Sequence, residues 1–429
     1  MENNGKPQVN NLVQKKIFHG WFIVPVAAIG LFMGYVPVIG FSFSVFFKPL
    51  SQEFHWSRAE ISLGFSLSLL VLSVALPIVG RLVDRFGARK IILPAALLFG
   101  LGLASFYFLR ALWQFYAIYI FLGIVGSGTA AVPYYKVISH WFDKRRGLAL
   151  GLTMGGAGIG FFVMPSLSYA LIANLGWRTA YVLIGIAVIV VTIPVVGLFL
   201  KERPQTMGLL PDGELLDQLR ADAHEKGSGI TGGEAWRSAT FWVMCTALFL
   251  VSVSLNGCLI HLVPLLTDRG ISPQSAALAA SLLGGATLLG RVGTGFLLDR
   301  FFATNVAVCF FGVAGLGILM LWAGVSGPLT FVAAALLGVG IGAEGDIMAY
   351  LVSRYFGLRA FGEIYAYVLA IYTLGAVVGP LLMGISFDSS GSYNSVLIPF
   401  LFLTFAGAVL MTRLGPYRIW EVAAQPATD

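Results

Sequence analysis

An all-α membrane protein of twelve transmembrane helices, arranged as two pseudo-symmetric bundles of six, is the fold class this 429-residue sequence predicts. Three observations predict it. First, 58% of the residues are hydrophobic and only 11% are charged, with a mean hydropathy of +0.85. A soluble domain carries about 25% charged residues, and a disordered chain is polar and charge-rich, so neither class fits. Second, the apolar residues fall in long runs that rarely hold a charge, and about 20 such residues as a helix cross the ~30 Å hydrocarbon core of a bilayer. A β-barrel would show alternating segments of about 10 residues instead. Third, the halves repeat at an offset of 215 residues: Gly80-x-x-x-Asp84-Arg85-Phe86 returns as Gly295-x-x-x-Asp299-Arg300-Phe301, Ser57 as Ser272, Pro165 as Pro380 and Gly176 as Gly391.

The elements follow in order. Residues 1–19 form a polar tail; Lys15 and Lys16 before an apolar run resemble a signal peptide, but the run 20–47 is too long for one and lacks a clear cleavage site, so it is expected to be a retained first span. The following spans are expected at 57–83, 91–109, 112–141, 147–174 and 178–200. A polar linker from Lys201 to Arg237, broken by Pro204, Pro211, Gly227, Gly229, Gly232 and Gly233, divides the spans six and six, with one short helix expected near Glu214–Glu225. Spans 7 to 12 are expected at 239–267, 274–298, 304–325, 328–353, 361–387 and 393–413. The domain organisation is therefore a first bundle at 20–200, a linker at 201–237, a second bundle at 238–413 and a tail at 414–429. The glycines inside the spans let helices approach closely.

Basic residues set the orientation. With the N-terminus inside, twenty Lys and Arg fall in inner segments and five in outer ones, while Lys136 and Arg291 lie within spans. Both termini and the linker are thus expected in the cytoplasm, and the chain in the cytoplasmic membrane. This topology accounts for the net charge of +7, and no basic-aromatic patch outside the spans suggests nucleic acid. Cys245, Cys258 and Cys309 lack CxxC spacing and are expected as small core residues. The five histidines have no metal-ligand spacing, and neither a nucleophile elbow nor a phosphate loop is present, so no enzyme, metal or cofactor is expected. Gly155-Gly156-Ala157-Gly158-Ile159-Gly160 is intramembrane and is not followed by Lys-Ser or Lys-Thr. An even number of spans per half gives parallel repeats about an axis along the membrane normal. Such halves can rock about a central cleft, which is the geometry of alternating access, and transport must then be gradient-driven.

Ionisable residues at membrane depth are costly and usually face a cavity. Here they are Lys136, Arg291, Glu344 and Asp346. Arg291 stands eight residues before Asp299, about 12 Å in from that end of span 8 at 1.5 Å per residue. Asp346 stands eight before Arg354 and Lys136 eight before Lys144. An arginine stays charged and presents a planar fork that matches a carboxylate, so a protein carboxylate and a substrate carboxylate compete for it. If Asp346 or Glu344 takes a proton, Arg291 is freed for an anion, and a monoanion then travels with one proton. Weaker candidates for the cleft are Tyr35 in span 1, Tyr134 and Tyr135 in span 4, Asn256 in span 7, Tyr350 in span 10, and Tyr367 and Tyr372 in span 11. His261, near the outer end of span 7, is expected at the membrane interface.

The loop Gly80-Arg81-Leu82-Val83-Asp84-Arg85-Phe86-Gly87-Ala88-Arg89-Lys90 resembles the signature of the major facilitator superfamily, with a degenerate copy at Asp299-Arg300. The resemblance implies the major facilitator fold and a gate. Gly80 would permit close helix contact, Asp84 would pair with a base across the cytoplasmic seam, and Arg85, Arg89 and Lys90 would hold the loop inside. It also implies that the second and fourth helices of each half line the cleft, so that Arg291, Asp346 and Lys136 are expected to point at one space. Within the superfamily the chain is similar to the monocarboxylate transporters and the oxalate/formate antiporter group. The carrying residues are Gly290-Arg291 with Gly295-x-x-x-Asp299, Trp141-Phe142-Asp143-Lys144-Arg145-Arg146-Gly147-Leu148-Ala149, Gly176-Trp177-Arg178 and Ser353-Arg354-Tyr355-Phe356-Gly357. That similarity implies that Arg291 binds the substrate carboxylate. Animal members carry an aspartate one turn earlier, where this chain has Thr287, and a lysine near Phe41; the acids of span 10 are expected to take over proton coupling here. Oxalate-type exchangers carry a second base near Val368, and Lys136 is the possible second cation. The expected function is a monomeric, proton-coupled carrier of small monocarboxylates of the lactate or pyruvate kind. A dicarboxylate or formate exchanger and a drug-type exporter are the alternatives within transport. A non-transporting sensor is the alternative outside it, though such proteins usually carry a large extra soluble domain.

Overall fold

The computed structural model describes residues 18–142, 145–204, 229–298, 300–357 and 360–417. The helix expected near Glu214–Glu225 lies outside them. Twelve helices among the described residues are long and apolar enough to cross a membrane: Gly20–Phe41, Arg58–Val83, Ala88–Phe108, Leu112–Trp141, Leu148–Leu175, Trp177–Phe199, Ala239–Asp268, Pro273–Leu298, Ala303–Trp322, Pro328–Phe356, Glu363–Ser390 and Asn394–Thr412. They are numbered as spans 1 to 12. The described residues form no strand beyond an isolated bridge between Gly229 and Gly357. In the first bundle span 3 packs on span 6, span 1 on span 5 and span 2 on span 4; in the second, span 8 packs on span 10, span 7 on spans 11 and 12, and span 9 on spans 10 and 12. The bundles meet along two seams, span 5 against span 8 and span 2 against span 11.

Local chemistry explains the helix ends. Span 2 opens on a capping box, in which Ser57 Oγ accepts from the Glu60 amide and Glu60 accepts from the Ser57 amide. It closes at Gly87, whose φ of 94° suits glycine. Two spans are broken at depth. Span 1 passes from a regular helix, Gly20–Phe32, into a π-helical segment, Val36–Phe41, before the helix Phe43–Phe54 continues. Span 4 narrows into a 3₁₀ turn, Ser127–Thr129, and restarts at Ala131 after an extended Ala130. Irregular backbone survives at this depth only when protein covers it. Here the two breaks cover each other, since Thr129 Oγ1 accepts from the Tyr35 amide at 3.2 Å.

Both described chain ends lie at one end of the bundle, called here the terminal end, because each half has an even number of spans. Polar links across the seams gather at the far end. Asp268 pairs with Lys48 at 2.7 Å and with Arg58 at 2.6 Å. Asp388 accepts from the amides of Arg58 at 2.9 Å and Ala59 at 2.8 Å, a carboxylate seated on a helix N-terminus. The Arg58 guanidinium also covers the Phe387 ring at 3.5 Å. Deeper in, His261 is fully buried between the halves, 2.8 Å from Ser62 Oγ and 3.0 Å from the Pro380 carbonyl through Nε2. A carbonyl only accepts, so Nε2 carries the hydrogen, and Nδ1 accepts from the Tyr393 hydroxyl at 3.0 Å. The expected interfacial position of His261 is therefore corrected. Ser66 donates to the Val377 carbonyl, and Ser166 meets Ser281, both at 2.8 Å. The last tight contacts are Gly284 on the Phe161 carbonyl and Gly158 on Leu288. From there to the terminal end no hydrogen bond or ion pair among the described residues joins the bundles.

Candidate functional site

Span 10 carries two acids, Glu344 and Asp346, two positions apart. Such residues point to opposite sides of a helix, and the structure divides them accordingly. Asp346 faces the parted region between the bundles. Its Oδ2 lies 3.9 Å from Arg291 Nε, with side chains 36% and 33% exposed. The approach depends on glycine: a Cβ at Gly342 would overlap the Thr287 carbonyl and crowd the Arg291 amide, and one at Gly345 would stand 3.6 Å from the guanidinium. Tyr135 of the first bundle and Tyr365 of span 11 lie in the electrostatic field of both Arg291 and Asp346. One guanidinium and one carboxylate thus face each other here, with a phenol from each half within their electrostatic reach. At 3.9 Å the pair attracts but forms no fork, and Arg291 makes no hydrogen bond among the described residues, so its donors are available to an entering carboxylate.

Glu344 turns the other way, into the second bundle. It is 2% exposed. The Tyr372 hydroxyl donates to its Oε2 at 2.6 Å, while Oε1 has no partner. Asn256 Nδ2 donates to the Ser252 carbonyl at 3.1 Å, to Ser252 Oγ at 3.2 Å and, weakly, to the Tyr372 oxygen at 3.5 Å. Spans 7, 10 and 11 are joined by this network.

The other candidates fall elsewhere. Lys136 does not accompany Arg291; its ammonium donates to the Val83 carbonyl at 3.0 Å and lines a cavity of about 180 Å³ with Arg85, Gly87, His140 and Glu202. Successive helical residues diverge by about 100°, so Tyr135 and Lys136 serve different surroundings. Tyr134 is buried against Gly30, and Tyr35 is buried with its hydroxyl donating to Ser68 at 2.9 Å. Tyr350 lies under the Arg354 guanidinium and edge-on to Tyr417. Tyr367 is exposed, donates to Glu363 at 2.8 Å and packs on Trp236. Cys245 and Cys258 are buried, but Cys309 is exposed on span 9, a correction to its expected core position.

Of the gating residues, Arg85, Arg89 and Arg300 have contacts within their own bundles. The Arg89 amide donates to Glu202 at 2.9 Å and its guanidinium to the Gly197 carbonyl. Arg85 covers Phe86, and Arg300 covers Phe296. A Cβ on Gly80 would meet nothing within 4 Å, so the expected close helix contact at Gly80 is absent. Asp299 and the side chain of Asp84 lie outside the described residues. Tyr365 went unread in the sequence, although its seven-residue spacing from Tyr372 puts both on one helical face.

A family model described as the Major Facilitator Superfamily matches residues 26–380 and 267–427. Among curated proteins, the chain is 27% identical over 372 residues to an MFS transporter, asaE, of Aspergillus flavus, covering 83% of this chain and 76% of that one. It is 26% identical over 396 residues to monocarboxylate transporter 11 of Mus musculus, covering 88% and 83%. Among solved structures, a bacterial homologue of the human lysosomal transporter Spinster, in an inward-facing and occupied conformation, superposes with a TM-score of 0.67 at 15% identity, covering 92% and 94%.

Proposed function

This chain belongs to the major facilitator superfamily, and from that premise we propose that it carries a small organic monocarboxylate, of the lactate or pyruvate kind, together with a proton by alternating access. The observation that carries this reading is Arg291 within span 8, one third exposed and loosely held at 3.9 Å by Asp346. A fixed cation at that depth is costly unless it meets an anion, and a pair without a fork yields readily to a substrate that supplies one. Tyr135 and Tyr365 flank the anion. Moving a monoanion with one proton avoids the cost of about 2.3 kcal/mol per charge and 100 mV. The mouse monocarboxylate transporter at 26% identity supports the substrate class.

The reading takes both termini and the linker 201–237 as cytoplasmic, in the cytoplasmic membrane, with 20–200 and 238–413 as the two moving bodies of a monomer; the basic-residue asymmetry supports that orientation. On that orientation the conformation described is open to the cytoplasm. The gating loops Gly80–Lys90 and Asp299–Arg300 would control that end. A dicarboxylate exchanger needs a second fixed cation in the cleft, and Lys136 is turned to the Val83 carbonyl instead. Counterflow of labelled mono- and dicarboxylates in proteoliposomes tests the proposal. Wild type should exchange lactate or pyruvate faster than oxalate. Arg291→Lys should raise the half-saturating concentration about tenfold or more, the cost of one charged hydrogen bond. Undiminished exchange by Arg291→Ala would sink the reading and favour a drug-type exporter.

A further inference from the structure

We infer that the coupled proton rides on Glu344 rather than Asp346, in a closed site of the second bundle built from Glu344, Tyr372, Asn256 and Ser252. The inference rests on the carboxylate-transport reading above and assigns a separate ligand, the proton, to a separate site. Asp346 already has a cation and water: it faces Arg291 and is 36% exposed. Glu344 has neither, being 2% exposed with one oxygen hydrogen-bonded by Tyr372 and the other bare. An ionised carboxylate in such surroundings leaves a desolvated charge uncompensated, whereas a carboxylic acid does not.

The groups that face it from neighbouring elements leave this unchanged. From span 11 comes the Tyr372 hydroxyl, while Tyr365 lies with Arg291. Span 7 contributes the uncharged Ser252 and Asn256, through Tyr372; its His261 is held at the far-end seam. The cation of span 8, Arg291, is on the Asp346 side, and Cys309 of span 9 is exposed. Asn256 and Tyr372, linked to Glu344 through the Tyr372 hydroxyl, are half-buried.

The charges balance. With substrate and proton aboard, Arg291, Asp346, the substrate anion and neutral Glu344 sum to minus one. Empty, with Glu344 ionised, Arg291, Asp346 and Glu344 sum to minus one again. The proton is taken from water as the Glu344 O–H bond forms and is returned to water when it breaks. Loaded and empty carriers therefore cross the membrane potential at the same site charge, and substrate binding and protonation favour one another.

The test uses the full chain in proteoliposomes with labelled lactate, measuring counterflow at equal pH and accumulation driven by a pH gradient. Glu344→Gln keeps an acceptor for Tyr372. It is expected to retain counterflow and to lose the gradient-driven accumulation, with net uptake becoming sensitive to membrane potential. Asp346→Asn is expected to change the half-saturating concentration while still accumulating. Tyr372→Phe, a milder change, is expected to shift the midpoint of the pH–uptake curve by about one unit, the size of a hydrogen bond to a charged group. Wild-type-like accumulation by Glu344→Gln, loss of accumulation by Asp346→Asn alone, or an unmoved midpoint in Tyr372→Phe would overturn the assignment. A wild type that exchanges no carboxylate would instead overturn the transport reading on which it rests.

Discussion

Single residues divide here by what surrounds their charge. Glu53, at the far end, is a case outside the spans. Burial acts to raise its pKa, but the hydrogen bonds from Arg178 and Trp177 and the guanidinium charge outweigh it and hold the carboxyl below its usual range. A depressed carboxylate stabilises the fold above the unfolded value of about 4.3 and ceases to do so as pH falls through its folded value. The side chain is 40% exposed, so the pair is worth only about 0.2–1 kcal/mol. Glu53→Gln should therefore lower the melting temperature slightly at pH 7, and the difference from wild type should shrink and disappear as pH falls below the usual carboxylate range; a gap that widens in acid would contradict this. Arg291 and the two acids of span 10 were legible because charge at membrane depth is rare. The tyrosines were not. Tyr134 and Tyr135 are adjacent, and an apolar run without a polar stripe gives no phase to say which of them faces the cleft; in the structure Tyr135 lies within the electrostatic field of Arg291 while Tyr134 is buried on Gly30.

For the helices, small residues set the distances. Span 10 lies on span 8 so closely that Gly342 leaves no room for a side chain beside the Thr287 carbonyl, whereas a Cβ on Gly312 of span 9 would meet nothing within 4 Å. Gly342→Leu should push the helices apart at a cost of about 1–3 kcal/mol and disturb the Arg291 site. Gly312→Ala should leave the melting temperature unchanged or raise it, by helix propensity worth up to about 1 kcal/mol. Melting curves of the purified protein in detergent check both. The twelve spans were placed within a few residues because each is a long apolar run. The breaks in spans 1 and 4 were not foreseen. Pro37 and the Ser127-Gly128-Thr129 turn sit within continuous apolar runs, and what permits them is the cover each break gives the other, a tertiary fact.

In the whole molecule, the repeat at 215 residues made two rocking bundles legible, but not which end is open. The far-end locks decide that, and they join residues more than 200 positions apart, from Lys48 and Arg58 to Asp268, and from Arg58 to Asp388. Asp268→Asn removes the carboxylate that two cations share, so it should favour opening of the far end. Labelling of Ser66→Cys by a membrane-impermeant maleimide from that side should then be several-fold faster than in the unaltered background, and equal rates would show that the lock does not hold this seam.

The lock has a further consequence, because its ions are wetted: Lys48 is 30% and Asp268 24% exposed. Mobile ions shield such pairs over roughly 8 Å at 0.15 M ionic strength and over less in brine. Concentrated salt applied to the far face should therefore loosen the lock and quicken the swing of the carrier, giving the protein a response to salinity through that face.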